Sequence, residues 1–118
     1  MHQKEIARLF SEGHFDQAAQ FLSDTVTWHI YEEKQVLTGK NAVLEFAGQI
    51  AQYFRSVTTA FETSGCIAEA NTVAVYGKAR FLRDKKLINS VNSCDIYEFD
   101  QAGHIQHIHS YCNSSRPA

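Results

Sequence analysis

The chain has 118 residues, of which 44% are hydrophobic and 20% charged, so it suits one packed domain and is too apolar for disorder. A formal charge of −2, and a longest basic stretch (Arg80-Phe81-Leu82-Arg83-Asp84-Lys85-Lys86) that Asp84 interrupts, argue against a nucleic-acid partner. No apolar run approaches the ~20 residues of a membrane span, so no membrane partner is expected.

The first periodic segment is residues 3–12, where Ile6, Leu9 and Phe10 fall at helical spacing. Gly13 is suited to cap it. Phe15, Ala18, Ala19 and Leu22 predict a second short helix, closed by Ser23-Asp24. Residues 25–30, rich in β-branched and aromatic side chains, predict a strand. A polar turn over 31–35 and a short return strand at Val36-Leu37 follow. Residues 40–54 predict the clearest helix, with Val43, Phe46, Ala47, Ile50 and Phe54 along one face. Strands are then expected from Val57 toward Glu69, from Thr72 to Arg83, from Leu87 to Phe99 and from His104 to Cys112. The last two are joined by the hairpin loop Asp100-Gln101-Ala102-Gly103. The domain is expected over 1–112, with 113–118 a flexible tail. The opening Met1-His2-Gln3-Lys4-Glu5 lacks the apolar core of a signal peptide, and Cys66, Cys94 and Cys112 are widely spaced. Reduced thiols and a cytoplasmic location are the expectation.

Strand alternation nominates a site. Val91, Ser93, Asp95, Tyr97 and Phe99 share one strand face, which sets a carboxylate among apolar and aromatic neighbours. Such an acid must be hydrogen-bonded or take up a proton, and it is a candidate working group. Val26, Trp28 and Ile30 share the inward face of the first strand, with His29 opposite. Trp28 reads as a stacking wall for a ligand or as plain core. Val73, Val75 and Gly77 face in, which leaves Arg80 outside. His107 and His109 share a strand face with Tyr111 and could hold a metal only if His29, Glu32 or Glu33 converged on them. Spacing supplies no such third ligand, so no metal is expected. Cys94, opposite in parity to Asp95, and Cys112, without an evident base, are poor nucleophiles.

Four stretches carry a family resemblance. They are Gly13-His14-Phe15-Asp16, Asp24-Thr25-Val26-Thr27-Trp28, Leu37-Thr38-Gly39-Lys40-Asn41-Ala42-Val43, and the run from Asp95-Ile96-Tyr97-Glu98-Phe99 through Gly103-His104-Ile105. In order and spacing the chain resembles the nuclear-transport-factor-2-like superfamily, within it the SnoaL-like and ketosteroid-isomerase-like groups. The resemblance implies a cone in which a sheet curls around a pocket and helices close it, and a homodimer packed through the outer sheet face. It assigns Ile108, Ser110 and Cys112 to the pocket and the histidines to the outer face. It also places Asp95 at the isomerases' pocket acid, a position where a protonated Asp donates a hydrogen bond. The isomerases' first-strand carboxylate falls on Trp28 and their helix-one tyrosine on Ile6. A steroid isomerase is therefore not expected, and a scytalone-dehydratase-like site would need an inward histidine pair.

The expectation is an α+β fold, a cone-shaped curved antiparallel sheet with three helices in the N-terminal half. Its pocket has Phe46, Ile50 and Phe54 on the helical wall. The sheet wall has Trp28, Ile30, Val75, Val91, Ser93, Asp95, Tyr97, Ile108 and Ser110. The expected ligand is small and mostly apolar, with a carbonyl or hydroxyl. Any chemistry is acid–base work by Asp95 without a cofactor: isomerisation, dehydration or cyclisation. The alternative is a non-catalytic ligand-binding or dimeric scaffold protein. An open cavity with a second polar side chain on Asp95 favours the enzyme; a closed one with only backbone or Arg on Asp95 favours the scaffold.

Overall fold

The computed structural model describes residues 2–115. Helix α1 (Gln3–Ser11) turns Ile6, Ala7 and Phe10 into the core. Gly13, at φ +86°, ends it. Its N–H donates to the Phe10 carbonyl and that of His14 to the Leu9 carbonyl, the paired bonds of a Schellman cap. Helix α2 (Phe15–Ala18) runs on as a 3₁₀ turn, Ala19–Phe21, into strand β1 (Leu22–Ile30). The strand thus begins at Leu22, earlier than the expected Thr25. Strand β2 (Gln35–Thr38) returns beside β1, and α3 (Lys40–Ser56) follows. Four long strands complete the chain: β3 (Thr58–Glu69), β4 (Thr72–Arg83), β5 (Lys86–Phe99) and β6 (Ile105–Ser115).

The sheet order is β2-β1-β6-β5-β4-β3. The expected sheet is wholly antiparallel; the observed one is mixed, because β1 and β6 pair in parallel. The cause is α3, 17 residues and so about 25 Å long. It carries the chain back along the sheet, so β3 starts at the same end as β2. Three hairpins later β6 arrives running with β1. Register breaks at Thr63/Gly65, Phe81/Leu82 and Glu98/Phe99 bend the strands into a trough. At the first of these, β4 crosses so close that a Cβ on Gly77 would stand 2.2 Å from the Glu62 carbonyl oxygen.

Helices α1 and α3 fill the trough. Val26, Val43, Val73, Tyr97, Ile105 and Ile108 are fully buried between the layers. Strand β6 continues to Ser115, where it pairs with Ser90, so residues 113–115 belong to the sheet rather than to the expected tail. Residues 116–118 lie outside the described residues. No helix among the described residues is long and apolar enough to cross a membrane.

Candidate functional site

The two layers do not close completely. A cavity of about 300 Å³ remains between α1, α3 and the concave sheet face. Aromatic rings build its walls. Phe10 meets Trp28 edge-on, with centroids 5.1 Å apart, and Trp28 meets Phe46 edge-on at 5.5 Å. Farther out Phe54 stacks on Phe81 at 5.6 Å and meets Phe61 edge-on at 5.2 Å. These rings are braced against one another, so the cavity is held open by packing rather than left by poor fit. Exposed Glu32, Glu33, Tyr53 and Ser114 mark its mouth.

Asp95 lies at the deep end and keeps part of its surface open to the cavity. Strand register explains its company: Asp95 pairs with Ser110 on one side and Val75 on the other. The Ser11 hydroxyl, from the last turn of α1, donates to Asp95 Oδ2 at 2.8 Å and lies 2.6 Å from the Tyr97 hydroxyl. Trp28 Nε1 donates to Ser110 Oγ at 2.8 Å, and Ser110 stands opposite Asp95 in the β5–β6 pair, where its hydroxyl favours the charged carboxylate. Indole can only donate, so Ser110 Oγ accepts this bond and keeps its own O–H free to turn toward Asp95. The same logic runs along the other branch. Tyr97 is fully buried, and its phenol finds a partner by donating to Ser11, which then donates to Asp95. Both branches converge on the carboxyl as acceptor.

Burial pushes the Asp95 pKa up, and the bonds from Ser110 and Ser11 only partly oppose this. Burial, reinforced by Asp95, pushes the Tyr97 phenol well above its ordinary value, so it stays a proton donor. Cys112 lines the cavity too, but burial and then Asp95 push its thiol up to about 12, which leaves no thiolate at neutral pH. The arrangement is one buried carboxyl at the deep end of an aromatic chamber, flanked by the hydroxyls of Ser11 and Ser110.

Of the residues expected in the pocket, Trp28, Ile30, Val91, Ser93, Asp95 and Ser110 line the cavity from the sheet. Phe46, Ile50 and Phe54 line it from α3. Tyr97 and Ile108 do not line it, and neither does Val75. Tyr97 and Ile108 sit one step deeper on their strands than Asp95 and Ser110, sealed in the core. Val75 is buried as well and borders a side cavity of about 40 Å³, shared with Ser11, Thr63 and Ser93. Alternation gives the side of a sheet, not the depth along a cone. Ser11 goes unnominated; its signal is its position four residues after buried Ala7, on the inward face of α1. Phe10, Phe15, Tyr53, Phe61 and Phe81 complete the aromatic wall.

The outer sheet face holds His29, His107 and His109. His29 stacks on His109 with centroids 5.0 Å apart, and Tyr31 stacks on Tyr111 at 4.6 Å. His109 Nε2 lies 2.7 Å from Glu98 Oε2, and His107 Nδ1 lies 2.7 Å from Thr27 Oγ1. No cluster of three metal-ligating side chains occurs among the described residues. Cys94 does not line the cavity, and Arg80 is exposed.

Several solved structures share this architecture. An NTF2-like protein of unknown function from Cytophaga hutchinsonii superposes with a TM-score of 0.81 at 29% identity, covering 92% of this chain and 94% of its own. SalBIII, an epoxide hydrolase/cyclase-like enzyme of pyran ring formation in the polyether salinomycin, gives 0.74 at 19% identity, over 98% and 95%. A candidate SnoaL-like polyketide cyclase from Shewanella putrefaciens gives 0.71 at 12% identity, over 95% and 80%. At such identities the last two show the shared fold alone. No curated protein matches the chain. The SnoaL-like domain matches residues 4–108, from the start of α1 into the first part of β6, at Ile108. The chain therefore belongs to the SnoaL-like family of the NTF2-like superfamily.

Proposed function

We propose that this protein binds a small, mostly apolar molecule bearing a carbonyl or hydroxyl group, and that Asp95 moves a proton on it without a cofactor. Isomerisation, dehydration and cyclisation all fall within this chemistry. The observation that carries the reading is Asp95 itself: it opens onto an aromatic cavity with the hydroxyls of Ser11 and Ser110 beside it. A carboxyl with a raised pKa can donate a proton to a ligand oxygen and take one back, and the flanking hydroxyls restrain its geometry in both states. SalBIII, described as an epoxide hydrolase/cyclase-like enzyme, has the same fold, so the fold accommodates chemistry of this class.

A second reading, a non-catalytic ligand carrier or dimeric scaffold, draws on Trp28. It occupies the place where an isomerase would keep its first-strand carboxylate, and indole cannot abstract a proton. The experiment separates the two. Wild type and Asp95→Asn are screened by thermal shift against a panel of small carbonyl and hydroxyl compounds. Hits are then incubated in D₂O to follow exchange of their C–H protons by NMR. The proposal expects hits that stabilise wild type more than the variant, and exchange driven by wild type alone. Equal stabilisation of both proteins removes Asp95 from recognition. Binding without exchange leaves the carrier reading. The homodimer we place on the outer sheet face, where Tyr31 and Tyr111 present stacked rings to solvent.

A further inference from the structure

The cavity has a charge pattern that proton transfer at Asp95 does not use. Its ionisable carboxyls are Asp95 at the deep end and Glu32 and Glu33 at the mouth, and no Lys, Arg or His lines it among the described residues. Glu32 accepts hydrogen bonds from the Ser114 backbone N–H at 2.8 Å and the Ser114 hydroxyl at 2.7 Å. Those bonds, the hydroxyl's first, hold its carboxyl below the ordinary range, so it is a fixed anion at neutral pH. Glu33 is exposed and accepts no hydrogen bond from the described residues, so its charge is free to meet a ligand. Between mouth and deep end the wall is aromatic, and ring faces attract cations. An anionic ligand would meet two carboxylates at the mouth and a buried carboxyl at the deep end, with no cation among the described lining residues to balance it. The ends also set a length. Asp95 pairs with Ser110, and Glu32 bonds Ser114, four residues on along β6. That separation is about 13 Å at strand rise.

We infer that the ligand of this cavity is an apolar molecule carrying a protonated amine, seated with the ammonium at the mouth beside Glu33 and Tyr53 and its neutral polar end toward Asp95. The inference rests on the cavity being the ligand site, and it adds the ligand's charge and orientation. Glu33 becomes a specificity-determining residue remote from the reacting end, and carboxylic acids of the same shape are rejected.

The test uses the full chain and three bicyclic probes of one shape: naphthylmethylamine, naphthalenemethanol and naphthoate. Trp28 is the single tryptophan and lies in the cavity wall, so quenching of its fluorescence reports occupancy at this site. The expected order of affinity is amine, then alcohol, then carboxylate. Glu33→Gln should weaken the amine about fivefold, the scale of one partly screened ion pair, and leave the alcohol unchanged. Added salt should narrow the gap in wild type and do little in the variant. Because Glu33 is exposed and makes no hydrogen bond among the described residues, the variant should fold, and an unchanged melting temperature checks this. An amine that binds no better than the alcohol, or a naphthoate that binds as well, overturns the charge inference while the cavity remains a ligand site. Failure of both amine and alcohol to quench Trp28 overturns the cavity reading, and this inference with it.

Discussion

Ser11→Ala is the substitution that most directly tests the relay behind Asp95. It removes one oxygen and two hydrogen bonds, 2.8 Å to Asp95 Oδ2 and 2.6 Å to the Tyr97 hydroxyl. Tyr97 is 0% exposed, so its phenol is left buried without a partner, which costs roughly 1–3 kcal/mol. The lost bond to Asp95 adds about 1 kcal/mol, giving an expected destabilisation of roughly 2–4 kcal/mol. Tyr97→Phe alone should cost less, about 1 kcal/mol, because Ser11 keeps Asp95 as its acceptor. In the double variant the orphaned phenol is gone as well. It should therefore be more stable than Ser11→Ala alone, with a coupling of about 1–2 kcal/mol. Urea unfolding at neutral pH, followed by Trp28 fluorescence, gives all three values. Additive single effects, or a Ser11→Ala cost below about 0.5 kcal/mol, would show that the relay is not coupled.

Other outcomes follow from the same geometry. Burial raises the Asp95 pKa in the folded state, so the native protein holds that proton where the unfolded chain has lost it. The stability from Asp95 is thus complete below its ordinary value of 3.8 and falls as pH rises through the raised folded value. Asp95→Asn should remove that slope from melting temperatures measured across the acidic range; parallel profiles for the two proteins would contradict it. Gly77→Ala should destabilise by about 2 kcal/mol or more in urea unfolding, because the new Cβ would meet the rigid Glu62 carbonyl at 2.2 Å. Wild-type stability in that variant would mean that β3 yields freely at its bulge. Replacing Tyr31 and Tyr111, 44% and 48% exposed, by Asp should convert a dimer to a monomer in sedimentation velocity without moving the Asp95 site. A monomeric wild type would remove the proposed interface.

Local periodicity made much of the fold legible. The i, i+4 pattern of α1 and α3 and the alternation of β4 and β5 carry the elements to within a few residues of their bounds, because each buries one face. The parity of Asp95 and Trp28 was legible for the same reason. Parallel pairing of β1 with β6 was not, since it depends on how α3 returns the chain and leaves no mark on either strand's alternation. Depth was not legible either. Tyr97 and Ile108 share the faces of Asp95 and Ser110, yet the narrowing of the cone seals them in. Ser11 was missed because a lone serine at a helix end has many ordinary reasons to be there. Only the packing of α1 over β5 turns it toward a carboxyl 84 positions away.

Asp95 is the central group: burial raises its pKa, and it faces the cavity. Carbon-13 NMR of its side-chain carboxyl, assigned with Asp95→Asn and titrated with and without naphthalenemethanol, measures this directly. The predicted result is an inflection above the ordinary carboxylate value in the free protein, moved further when the alcohol fills the cavity and displaces water. An inflection at or below 3.8, unmoved by the alcohol, would contradict the account.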